Sequence, residues 1–219
     1  MTDTTHAQRF AAHGGDLKNG IRPGGATPEV LSRFAHLPRI NLSGRKLYDL
    51  ELILNGGFSP LEGFMNEEDY TSVVERMRLA DGTLWPMPIV FDTTQTHVAV
   101  GDELLLCDPY GTPCAVLSVS SVFRPDKERE AELVYGTTDR SHPGVRYLFE
   151  KLGDTYVGGH LEGLALPAAH DFTDLRHTPR ELRERFAADA RETIIGFQTR
   201  NPLHRAHFDG LFARALRAD

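Results

Sequence analysis

The sequence predicts an α+β chain: a β-rich unit over residues 1–170, then the opening of an α/β unit over residues 171–219. Three observations predict this. Between Trp85 and Phe123, short apolar runs alternate with turn residues, the pattern of strands joined by tight turns. From Thr178 the order becomes helix, apolar run, polar turn, helix, which is how an α/β nucleotide-binding unit begins. Between them, Ala168 to Arg176 has no regular spacing and reads as the connector.

A chain of 219 residues accommodates one or two domains. Its 24 Lys and Arg against 31 Asp and Glu leave a net charge of −7, which argues against a general nucleic-acid surface. No apolar run reaches membrane-spanning length, and the first residues lack a signal-peptide core, so the expected compartment is the cytoplasm. Cys107 and Cys114 flank the turn Asp108-Pro109-Tyr110-Gly111. They are expected to approach each other across a hairpin, but as reduced thiols.

In chain order, residues 1 to about 30 are rich in Gly, Thr and Ala and read as an irregular surface arm, with His13 a solvated loop histidine. Leu47 to Leu54 has helical spacing, and Asn55-Gly56-Gly57 stops it. Phe58 to Phe64 is a Gly- and Pro-punctuated turn whose aromatics are expected to plug a core. Strand-like runs follow at Pro88–Phe91, His97–Val100, Glu103–Cys107 and Cys114–Val119, which suggests a compact barrel or rolled sheet. Pro125 to Leu133 is charged and helix-prone, with a solvated face expected. Gly136 to Val145 reads as a loop in which His142 fits a turn as well as a function. Tyr156 to His160 is the last strand of the unit. Thr178-Pro179-Arg180-Glu181 is a capping box with Pro at the first helical position, so a helix is expected from Pro179 to Ala188. Leu182 and Phe186 are expected to face inward along it.

The chemistry concentrates in Gln198-Thr199-Arg200-Asn201-Pro202-Leu203-His204-Arg205-Ala206-His207. Ile194 to Phe197 before it is branched and apolar, as a buried strand would be. Asn201 suits a helix N-cap and Pro202 the first helical position. Phe208, Leu211 and Phe212 continue at helical spacing, and His204 and His207 lie on the same stripe. A helix N-terminus directs unpaired N–H groups and a positive dipole at an anion such as phosphate or sulfate. Arg200 adds a planar, permanently charged fork, and Gln198 an amide that donates and accepts. Read from spacing alone, the two histidines also suit a metal site or a satisfied core position.

The decapeptide QTRNPLHRAH resembles the signature of the ATP sulfurylase (sulfate adenylyltransferase) family. His13-Gly14-Gly15, Asp49-Leu50-Glu51-Leu52, Asn55 to Met65, Gly136-Thr137 and His142-Pro143-Gly144-Val145 extend the likeness along the chain. The resemblance implies a PUA-like β-barrel domain over 1–170, followed by the start of a Rossmann-like HxxH nucleotidyltransferase domain over 171–219. It implies that MgATP and sulfate give adenylyl sulfate (APS) and pyrophosphate, in sulfate assimilation. Gln198 and Arg200 would bind sulfate. Gln198, Asn201, His204 and His207 would bind ATP, and Thr199, Arg200 and Asn201 would act at the reacting centre. Mg²⁺ would arrive with ATP, with no dedicated protein metal site. A homo-oligomer is implied, with neither nucleic acid nor membrane as partner.

The family's catalytic domain continues beyond position 219, and its Gly-Arg-Asp-His-type motif has no counterpart here. The chain is therefore expected to be the N-terminal part of a longer enzyme. The alternative reading is an inactive fragment, or a PUA-like binding module without catalysis.

Overall fold

Two long strands carry the molecule, Pro113–Phe123 and Thr155–Gly163, paired antiparallel over eight residues of register. The computed structural model of the chain describes residues 11–42, 44–94, 97–190, 193–196 and 198–199, together with Pro202, His204, Arg205 and Asp209. Two compact units are present, Met1–Leu182 and Arg183–Asp219. The first holds the sheet.

Among the described residues the strands are β1 (Arg39–Asn41), β2 (Gly63–Phe64), β3 (Phe91–Thr93), β4 (Glu103–Cys107), β5 (Pro113–Phe123) and β6 (Thr155–Gly163). Their order is β1-β4-β5-β6-β2, and β3 also pairs with β6. All pairings are antiparallel except β1 with β4. The helices are α1 (Pro28–Phe34), α2 (Arg45–Leu54), α3 (Glu67–Arg76), α4 (Lys127–Tyr135), α5 (Pro143–Glu150) and α6 (Pro179–Ala188). The expected β-rich unit is thus a six-stranded mixed sheet with helices packed around it.

β4 is apolar along both faces because both are covered. Leu104 and Leu106 enter the main core with Leu50, Ile53, Val73, Phe91 and Tyr156, whereas Leu105 and Cys107 join Phe34, Leu37 and Val116 in a second cluster. A near-continuous apolar run is what a strand buried on both sides requires. The expected strand at His97–Val100 does not form. Those residues make a turn in which Asp102 accepts from the Ala99 N–H at 2.8 Å.

The cysteines do not face each other. A bulge between Leu106 and Cys107 shifts the register so that Cys107 opposes Pro113. Cys107 then packs in the second cluster and Cys114 in the main core, both as free thiols.

The arm expected to lie at the surface unless another segment clamps it is in fact clamped. Gly20 N–H donates to the Leu54 carbonyl at 2.9 Å, Gly163 N–H to that of Gly20 at 2.7 Å, and Arg22 N–H to that of Gly163 at 3.0 Å. His13 is exposed in a turn, as expected of a solvated loop histidine, and it also makes local contacts. Its Nε2 lies 2.6 Å from the Leu84 carbonyl oxygen, with its ring 6.1 Å from that of Trp85. The Phe58–Phe64 turn does plug the core: Phe64 is buried, and Phe58 meets Trp85 edge-on at 5.7 Å. Gly63 is obligatory there, since a Cβ on it would overlap the carbonyl oxygen of Gly159 across the β2–β6 pair.

Local capping explains the helix starts. Asn66 accepts from Asp69 N–H at 2.8 Å to open α3, and Asp126 accepts from Arg129 N–H at 3.0 Å to open α4. The segment expected to be a loop through Val145 instead starts α5. His142 Nδ1 accepts from Val145 N–H at 3.4 Å, with Pro143 in the first turn. His142 is therefore a helix cap.

Candidate active site

The helix that leads toward the signature is α6, and its start follows from the sequence directly. Thr178 Oγ1 accepts from Glu181 N–H at 3.3 Å while Glu181 Oε2 accepts from Thr178 N–H at 2.7 Å, a reciprocal capping box. Those bonds to Thr178 hold the exposed Glu181 carboxylate below its usual pKa. Leu182 and Phe186 are only partly covered, and none of the residues of α6 is fully buried.

Beyond α6 the structure corrects two local expectations. The run Ile194-Ile195-Gly196 is not a buried strand: it has no regular structure, and Ile194 and Ile195 are 40% and 67% exposed. A branched apolar run becomes a strand only when neighbouring strands accept its backbone N–H and C=O groups. Pro202 and His204 are not helical, and Arg205 is the first described residue of the signature in a helix. His204 is thus not in a helix, and the expected first turn that it shares with His207 lies partly outside the described residues. Among the predicted site residues, Gln198, Thr199 and His204 are exposed, and Arg200, Asn201 and His207 lie outside the described residues. Arg205 is almost fully exposed, and its Nε lies 3.2 Å from Asp209 Oδ2 one turn on, so its charge is spent on a surface pair.

The most perturbed ionisable groups lie elsewhere, in the first unit, where sequence reasoning expected only a solvated helix face. Glu130 of α4 is buried, and its Oε2 accepts from Tyr70 Oη at 2.8 Å and from Tyr156 Oη at 3.3 Å. Burial pushes its carboxyl above the usual carboxylate range, against the pull of the two tyrosine donors. Burial first, and then the carboxyl's charge, raise both phenols as well. Nearby, Lys46 Nζ sits 2.8 Å from Asp92 Oδ1 and donates to the Asp92 backbone carbonyl at 3.0 Å. Asp92 Oδ2 accepts from Gly153 N–H at 2.7 Å. The cavity among these groups is only about 20 Å³, room for about one water and not for a substrate. Glu130 and Asp92 therefore tie α2, α3, α4, β3 and β6 together. Glu130 sits beside the fully buried Ala131 on the inward side of α4, and charged neighbours in the sequence hide it. Among the described residues no three His, Cys, Asp or Glu side chains converge as a metal site.

Two families divide this architecture. The PUA-like domain family matches residues 10–166, the span that holds the six-stranded sheet and its covering helices. The ATP-sulfurylase family matches residues 173–219. The chain therefore belongs to the PUA-like domain family, and its last stretch is similar to the ATP-sulfurylase family.

The relatives agree. A sulfate adenylyltransferase of Candida albicans is 47% identical over 210 residues, covering 89% of this chain and 40% of the relative. One of Mycosarcoma maydis is 43% identical, covering 94% of this chain and 37% of the relative. One of Schizosaccharomyces pombe is 47% identical, covering 78% and 36%. Among solved structures, the hexameric APS kinase from Thiobacillus denitrificans superposes with a TM-score of 0.75 at 30% identity, over 95% of this chain and 37% of that one. The chain thus spans about two fifths of the length of the curated relatives it matches.

Proposed function

We propose that this chain is the N-terminal part of a sulfate adenylyltransferase that converts MgATP and sulfate to APS and pyrophosphate. The observation that carries this reading is the decapeptide QTRNPLHRAH, lying inside the segment that matches the ATP-sulfurylase family in a chain whose relatives bear that enzyme's name. Residues 1–170 are read as a PUA-like barrel. Residues 171–219 are read as the first part of a Rossmann-like nucleotidyltransferase domain, completed by chain beyond this length. The hexameric neighbour supports a homo-oligomer, and the pathway is sulfate assimilation in the cytoplasm.

The chemistry asks for placement and charge compensation. Sulfate is a weak nucleophile, and the phosphate–sulfate anhydride it forms is high in energy. One sulfate oxygen attacks the α-phosphorus of ATP in line, the new O–P bond forms as the bond to the β-phosphate oxygen breaks, and pyrophosphate leaves with that electron pair. Direct displacement needs no covalent group from the protein. Gln198 and Arg200 hold the sulfate oxygens, and Arg200 offsets the charge that builds in the transition state. Thr199 and Asn201 orient the ATP phosphates. His204 and His207 donate to the departing phosphates. Mg²⁺ would arrive with ATP, held mainly by phosphate oxygens and water.

The test is pyrophosphate release by the longer protein, followed with ATP and a panel of acceptors. Release that depends on sulfate supports the reading. Release that ignores sulfate, or that requires another acceptor, overturns it.

A further inference from the structure

A short stretch of the first unit holds a methionine between two prolines. Pro86 and Pro88 flank Met87, and the buried Trp85 and Ile89 fix the stretch at both ends. Each proline locks its own φ, and Pro88 also narrows the backbone choice of Met87, so the side chain leaves from a stiff stem. Met87 is 39% exposed, whereas Met65 is buried.

The thioether has a cationic partner. Arg45 Nη2 donates to Met87 Sδ at 3.4 Å. The same guanidinium has its Nε 3.7 Å from Asp49 Oδ2, one turn along α2, and lies 5.7 Å from the centre of the Tyr147 ring of α5. A thioether is a weak acceptor, and a 3.7 Å contact is too long for a hydrogen bond, so Arg45 is divided between two loose partners. The Asp49 side chain is only 13% exposed. Burial lifts its carboxyl above the usual range, and Arg45 supplies the opposing pull. Lys46, Asp92, Glu130, Tyr135 and Tyr147 line the small cavity that Arg45, Asp49 and Met87 share. Strengthening either partner of Arg45 therefore decides where the guanidinium goes.

We propose that Met87 is a reversible oxidation site for a hydroperoxide, and that Arg45 responds by leaving Asp49 for the sulfoxide oxygen. The sulfur lone pair attacks one peroxide oxygen, and the O–O bond breaks. The departing oxygen takes up the proton and leaves as water, or as an alcohol from an organic hydroperoxide. Sulfur is oxidised by one electron pair, and the peroxide is reduced by the same pair. Oxidation turns an apolar side chain into a polar one whose oxygen carries negative charge. A directed bond from the guanidinium to that oxygen outcompetes a contact to Asp49 that has no hydrogen bond. Asp49 then loses its opposing cation, and its carboxyl titrates at higher pH. The site lies within residues 45–147 and is independent of the adenylyl-transfer reading.

Dilute hydrogen peroxide, followed by peptide mass spectrometry and NMR of the 219-residue chain, tests this. Met87 should gain one oxygen well before Met65, and methionine sulfoxide reductases acting on the two epimers should remove it. In the oxidised chain the Arg45 Nε–H resonance should move, and the Asp49 carboxyl should titrate at higher pH than in the reduced chain. Met77 is 57% exposed and oxidises as well. Met77→Leu should therefore keep the Asp49 shift, and Met87→Leu should lose it. Leucine is close to methionine in volume, so neither surface variant disturbs the fold. A Met87 as resistant to peroxide as Met65 overturns the proposal. So does an Asp49 titration that oxidation leaves unmoved, or one that shifts equally in Met87→Leu.

Discussion

The Tyr70 hydroxyl donates to Glu130 Oε2 at 2.8 Å in the interior between α3 and α4, and Tyr156 of β6 adds a second donor at 3.3 Å. The two rings meet edge-on at 5.6 Å, so the carboxyl is framed by an aromatic pair. Three elements distant in sequence converge on one acidic side chain.

Glu130→Ala leaves two buried hydroxyls without an acceptor and should cost about 2–4 kcal/mol, read from denaturant unfolding. Glu130→Gln keeps an acceptor and should be close to neutral near pH 5. The pH dependence separates them. Burial raises the carboxyl's pKa in the folded state, so its contribution is fully present below the unfolded pKa and is lost as pH rises through the folded one. The stability of the wild type relative to Glu130→Gln should therefore fall from acid toward neutral pH. A difference that grows with pH would show the carboxyl to be stabilised in its charged form.

That relationship also marks where sequence reading stopped. β4, β5, the turn between them and the α6 capping box were legible because residues within a few positions determine them: short apolar runs, Asp-Pro-x-Gly, and Thr-Pro-x-Glu. The parallel pairing of β1 with β4, the clamping of the arm by Leu54 and Gly163, and the burial of Glu130 depend on partners tens of residues away. Pro125 to Leu133 reads as a solvated charged segment, and its one buried charge, Glu130, does the opposite. Ile194-Ile195 carries strand composition but has no regular structure and is exposed. In the candidate site, the decapeptide was legible as a motif, whereas its local form was not. Helix signals at Asn201-Pro202 describe a preference, and Pro202 and His204 do not follow it.

His142 distinguishes a cap from a catalytic histidine. Its Nδ1 accepts from Val145 N–H, so His142→Ala should cost roughly 0.5–1 kcal/mol. His142→Asn, a good cap residue, should restore the loss. Sulfate-dependent activity of the longer protein should be unchanged in both. A loss of activity that Asn does not rescue would assign His142 a chemical role.

The cysteines should be inert. Cys107 and Cys114 pack in different clusters, and burial raises both thiols, that of Cys114 to about 11. Since the thiolate is the reactive form, a thiol reagent at neutral pH should label neither in the folded chain and both after denaturation. Mild oxidant should leave two free thiols by mass spectrometry. An intramolecular disulfide would contradict the register of the β4–β5 hairpin.

Within the signature, the arginines should behave oppositely. In the longer enzyme, Arg200→Ala should abolish APS formation, a loss of at least about 10³-fold if it removes the main charge compensation at the transition state. Arg205→Ala should have a much smaller effect, because Arg205 is exposed and paired with Asp209. Steady-state rates of sulfate-dependent pyrophosphate release measure both. Normal rates in Arg200→Ala would remove it from the sulfate clamp.

The most direct measurement is a structure of the longer enzyme with APS bound. The account predicts the sulfuryl oxygens within hydrogen-bond reach of Gln198 and Arg200, and the adjoining phosphate facing Asn201, His204 and His207. A product seated against other residues, with Gln198 to His207 left in solvent, would contradict it.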